Sequence, residues 1–127
     1  MALLLTASVA CLAASGAGCG CDRRDGAAAA PGLPRLVELG SDQCVPCQMM
    51  KPILENLRRD YAGCVIIESI DVYTDPGAAQ RYRVRVIPTQ VFIDASGREV
   101  ARHEGYMEQA QIERAFRDLF GIQAGPS

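Results

Sequence analysis

Histidine is almost absent from this chain: His103 stands alone among 127 residues. Of the six cysteines, only Cys44 and Cys47 form a C-x-x-C pair. A tetrahedral zinc site would need two ligands beyond that pair. The candidates, Cys64 and His103, fall on separate expected strands, so no metal is expected. Gln48, rather than a histidine, follows Cys47, which excludes covalent haem attachment. An excess of one charge is missing too. Thirteen Lys and Arg oppose fifteen Asp and Glu, a net charge of −2. That balance is too mild to imply a nucleic-acid partner or an electrostatically held membrane surface. No internal repeat is visible, and the length leaves room for one core but not two.

Charge is also missing from the start of the chain, where no Asp, Glu, Lys or Arg precedes Asp22. Residues 2–17 are almost entirely small or apolar, too short and too rich in Ala, Ser and Gly for a comfortable membrane-spanning helix. Residues 1–21 are therefore expected to be a signal peptide or a lipoprotein-type export segment, although no Lys or Arg opens it. Cys11 and Cys19 are the candidates for a lipid anchor, each without the usual aliphatic residue three places earlier. The competing readings are a signal removed together with its cysteines, or a Cys19–Cys21 disulfide. Residues 22–34, rich in Gly, Ala and Pro, read as a flexible linker. The folded domain is expected over residues 35–122.

Within that domain, residues 35–39 form a short apolar strand between Pro34 and Gly40. Apolar residues then recur at Met49, Met50, Ile53, Leu54 and Leu57, the spacing of an amphipathic helix over residues 46–61, with a kink expected at Pro52. Residues 64–72 are rich in β-branched side chains and read as a buried strand. A short helix follows Asp75-Pro76-Gly77. Residues 89–94 and 98–104 flank a turn at Ala95-Ser96-Gly97 and read as a hairpin. A helix over residues 108–120 closes the domain, with Gly121 as its stop. The order is β-α-β-α-β-β-α, which implies an α/β domain whose central mixed sheet has a parallel pair, added antiparallel strands and helices on both faces.

Cys44-Val45-Pro46-Cys47 falls where a loop runs into a helix start. Free backbone N–H groups and the positive end of the helix dipole favour a thiolate on the first cysteine. A thiolate is the nucleophile of disulfide exchange, and a second cysteine one turn later can displace the mixed disulfide that results. Pro46 supplies the backbone angle of a helix start. A structural disulfide or half of a metal site would show the same motif.

The run Ser41-Asp42-Gln43-Cys44-Val45-Pro46-Cys47, followed by Asp71-Val72 and Val86-Ile87-Pro88-Thr89, closely resembles the thioredoxin superfamily in order and spacing over about residues 35–120. The resemblance implies the thioredoxin fold with a four-stranded mixed sheet. It implies Cys44 as attacking thiol, Cys47 as resolving thiol, Pro88 as a cis-proline facing them, and Ile87 as the residue that pairs with substrate, beside Val45 and Pro46. It further implies that Glu38, six residues before Cys44, is a buried acid that accepts the proton of Cys47; the alternatives are an exposed strand-edge glutamate at 38 and, less favoured, Asp42 as the acid. The redox-active disulfide would be intrinsic, with no cofactor.

The departures narrow the comparison. Gln43 replaces the usual aromatic residue, Val-Pro replaces Gly-Pro, and tryptophan is absent. The sequence looks more like compact exported bacterial thioredoxin-like proteins, monomers that reduce protein disulfides or serve cytochrome c maturation. Such proteins often take electrons from a membrane carrier of the DsbD or CcdA type. The alternatives are a disulfide oxidase or isomerase, and a thioredoxin-fold metallochaperone or assembly factor. Cys64 is expected to be an inert core cysteine, His103 a surface residue of the hairpin, and Arg81, Arg83 and Arg85 a solvated edge.

Overall fold

A computed structural model of the chain describes residues 22–23 and 32–125. The expected export segment, its lipidation candidates and most of the linker lie outside the described residues. In chain order the elements are β1 (Asp22–Arg23), β2 (Arg35–Gly40), α1 (Val45–Asp60), β3 (Ile66–Asp71), α2 (Pro76–Arg81), β4 (Thr89–Ile93), β5 (Glu99–Glu104), α3 (Gln109–Phe120) and β6 (Ile122–Gln123). Strands β3-β2-β4-β5 form one sheet. β2 and β3 run parallel, whereas β2–β4 and β4–β5 are antiparallel. This is the mixed four-stranded sheet of the expected α/β fold.

Alternation along β2 decides which helices cover which face. Leu36 joins Met50, Leu54 and Leu57 of α1 and Ile112 and Phe116 of α3 in one core. Val37 and Leu39 point the other way, into a smaller cluster with Val91 and Ala78 of α2. Glu38 lies between them in sequence and shares the α1 and α3 side with Leu36. Tyr61 and Phe116 meet edge-on at 4.9 Å between ring centroids, close to the contact of α1 with α3. Helix α1 continues through Pro52 to Asp60; proline has no N–H to offer the preceding turn.

Two local differences from the sequence reading have physical causes. The strand expected from Cys64 starts at Ile66, because the N–H groups of Cys64 and Val65 bond the Tyr61 carbonyl at 2.9 and 3.1 Å and extend the turn after α1. Cys64 itself is buried, as expected. Asp22 and Arg23, expected within the linker, pair antiparallel with Gln123 and Ile122. The chain after α3 can do this because Gly121 turns out of the helix at φ 66°. That left-handed conformation costs an L side chain about 1–2 kcal/mol. Gly121→Ala is expected to lower stability by about 1 kcal/mol, read as a lower urea midpoint at unchanged slope.

Candidate functional site

The loop between β2 and α1 is held from several directions. The Asp42 N–H donates to the Asp71 carboxylate at 3.1 Å, and the N–H groups of Tyr73 and Thr74 donate to the same side chain at 2.8 and 3.3 Å. These bonds hold the Asp71 carboxyl below its ordinary range, the one from Asp42 most strongly. Asp71 thus joins the end of β3 to the loop that delivers the first cysteine. Lys51 on α1 reaches back to Asp42 at 2.7 Å.

Cys44 is the N-cap of α1, in extended backbone at φ −101° and ψ 116°. Its sulfur accepts from the Cys47 N–H at 3.4 Å, the position in which a thiolate would gain a donor and the field of the helix start. Pro46 occupies the first turn, where a missing N–H costs nothing. Cys44 and Cys47 form a disulfide with their Cα atoms 5.2 Å apart. The two sulfurs differ in access. Cys44 is partly open to solvent and Cys47 is only 4% exposed. Val45 and Pro46 beside them are exposed.

Glu38 is buried at 3% exposure. Ser69, its neighbour across the parallel pair, donates its hydroxyl to Glu38 Oε2 at 2.8 Å. Oε1 is buried without a protein partner. Burial pushes the Glu38 carboxyl above its ordinary pKa; the Ser69 bond and the charges of Arg58 and Lys51 work against that rise, and Asp71 adds to it. Gly40 connects this acid to the cysteines. A Cβ on Gly40 would lie 2.5 Å from Glu38 Oε1 and 3.3 Å from Cys47 Sγ. The missing side chain therefore leaves a notch that both atoms border. It belongs to a small pocket, lined also by Asp42, Lys51 and Asp71, that admits water. Gly40→Ala is expected to displace the carboxyl and to cost about 1–3 kcal/mol of stability, seen as a lower denaturant midpoint.

Ile87–Pro88 is a cis peptide bond, as the resemblance implied. Pro88 is buried immediately before β4, whose Thr89 pairs with Leu39, so it lies at the end of the sheet from which the cysteine loop departs. Ile87 is half-buried and Val86 is 48% exposed. Among the described residues no group of three or more His, Cys, Asp or Glu converges as a metal site would require. His103 lies on β5 with its Nε2 3.2 Å from the Tyr106 carbonyl oxygen. Met50 packs in the core and Met49 is 53% exposed. Reading the sequence missed Gly40, Ser69 and Lys51 as parts of this site. Serine interrupting the apolar run of residues 64–72 was the available signal, but pairing it with Glu38 requires the register of a parallel strand.

A cysteine pair at a helix start, backed by a buried carboxyl and a cis-proline, defines a dithiol–disulfide exchange site. Comparison with known proteins agrees. The thioredoxin family model matches residues 29–118. The chain is 33% identical over 86 residues to a thioredoxin of Chlorobaculum thiosulfatiphilum, covering 68% of this chain and 79% of that protein. It is 33% identical over 78 residues to a thioredoxin of Staphylococcus aureus, covering 61% and 74%. The chain belongs to the thioredoxin family, and it is a thiol–disulfide oxidoreductase.

Proposed function

We propose that this protein is an extracytoplasmic reductase of protein disulfides in which Cys44 attacks, Cys47 resolves and Glu38 takes the proton of the resolving thiol. The observation that carries the chemistry is the asymmetry of the pair: an accessible sulfur that accepts a backbone N–H, and a buried sulfur beside the notch at Glu38. The Cys44 thiolate attacks one sulfur of a substrate disulfide, forming a mixed disulfide and releasing the first substrate thiolate. The Cys47 thiol gives its proton to Glu38 and attacks Cys44 Sγ. The second substrate thiolate leaves, and two electrons have passed from the protein dithiol to the substrate. Exposed Val45 and Val86 offer an apolar rim to an extended segment lying against Ile87 and Pro88.

Reduction as the direction rests on likeness to relatives named thioredoxin. Placement outside the cytoplasm rests on the uncharged apolar start of the chain, which reads as an export segment. In that setting a membrane dithiol carrier of the DsbD or CcdA type would recharge the pair, and apocytochrome c is one fitting class of substrate. The deciding measurement is the reduction potential of the Cys44–Cys47 couple. A value near about −270 mV supports reduction, whereas one near about −120 mV makes the protein an oxidant. Fusion of the full chain to a reporter active only outside the cytoplasm tests location, and a silent fusion overturns it.

A further inference from the structure

Gln90 is fully buried, and neither its amide nitrogen nor its amide oxygen has a protein partner. That is costly in a protein interior and needs a reason. Its position supplies one. Gln90 on β4 is the direct antiparallel partner of Glu38 on β2. Directly opposed side chains share a face of the sheet with Cβ atoms roughly 4.5–5.5 Å apart. Glu38 is therefore flanked by polar neighbours on both adjacent strands. Ser69 serves Oε2 from one side. Gln90 stands on the other side, and Oε1 is the oxygen left unpartnered.

We infer that Gln90 is a positioning residue for proton transfer, its amide N–H serving Glu38 Oε1 through one water and steadying the carboxylate that receives the Cys47 proton. This rests on the proposed role of Glu38. Glu38 can alternate between carboxyl and carboxylate during turnover only if its surroundings serve both forms. A carboxamide does so, because its N–H donates to the ionised oxygen and its carbonyl accepts from the protonated one. A leucine of similar size would serve neither. The charged groups acting on Glu38 from the packed elements are Lys51 and Arg58 on α1 and Asp71 at the end of β3, and none of them changes in a Gln90 variant.

The test uses the reduced full-length protein and an aromatic disulfide whose leaving thiolate is coloured. Attack by Cys44 releases the first thiolate, and resolution by Cys47 releases the second. Gln90→Leu is expected to leave the first phase unchanged, to slow the second about tenfold at neutral pH, and to displace its pH midpoint upward, since a donor to the ionised carboxylate is lost. In a Glu38→Gln background the same substitution is expected to add nothing to the second phase. If Gln90 merely fills space, Gln90→Leu changes the denaturant midpoint and leaves the pH profile in place, which overturns the inference while the Glu38 role stands. If Glu38→Gln itself leaves the second phase untouched, the Glu38 role falls and this inference falls with it. Gln90→Met, equally unable to donate, is expected to reproduce the Gln90→Leu profile should the leucine variant fold poorly.

Discussion

Cys44→Ser reduces insulin-disulfide reduction to the uncatalysed level, whereas Cys47→Ser takes the first step and stops. The difference follows from the N-cap. Only the sulfur at position 44 accepts the N–H of Cys47 and lies open to an incoming disulfide. A serine hydroxyl there, with a pKa far above that of a thiol, supplies no nucleophile at neutral pH. With Cys47 replaced, Cys44 still attacks, but nothing inside the protein displaces the product. A covalent complex with the substrate should accumulate to nearly one per protein on a non-reducing gel and vanish on adding dithiothreitol. Accumulation with Cys44→Ser instead would exchange the two roles.

The next largest effect belongs to Glu38. Removing a positioned general base costs at least roughly a hundredfold in the step it serves, so Glu38→Gln should slow release of the second thiolate by about that factor at neutral pH and leave the first nearly unchanged. Stability should move the opposite way. Burial raises the folded pKa of this carboxyl above its unfolded value. Its contribution to stability is then complete below the ordinary carboxyl range and is lost as pH rises through the raised folded value. Glu38→Gln removes that dependence, so the variant should gain on the wild type in denaturant midpoint between acid and neutral pH. A wild-type midpoint that rises with pH over this window, relative to the variant, would show an acid stabilised as its anion and unfit to accept a proton.

Much of this architecture is legible in the sequence because local rules fix it. The stripe from Met50 to Leu57 marks α1, Gly121 ends α3, and the C-x-x-C spacing places two sulfurs one helical turn apart. What sequence alone conceals depends on register. Ser69 and Gln90 lie 31 and 52 residues beyond Glu38, and only the pairing of β3 and β4 with β2 brings them to its two sides. Gly40 is similar: a glycine after a strand reads as a loop signal, yet it closes β2 and leaves the opening between acid and sulfur. The strand at Asp22–Arg23 was hidden because two residues carry no periodicity, and its partner β6 is equally short.

That small strand pair gives the molecule a front and a back. Helix α1 carries the cysteines at its first turn and Tyr61 just past its last, about 24 Å away along the axis. The Tyr61 side chain meets the backbone at Ala124, directly after β6, and β1 is hydrogen-bonded to β6. Strand β1 is consequently held at the rear, at the end of α1 opposite the cysteines. A group held directly at β1 would therefore leave Cys44 uncovered, with the length of α1 between them.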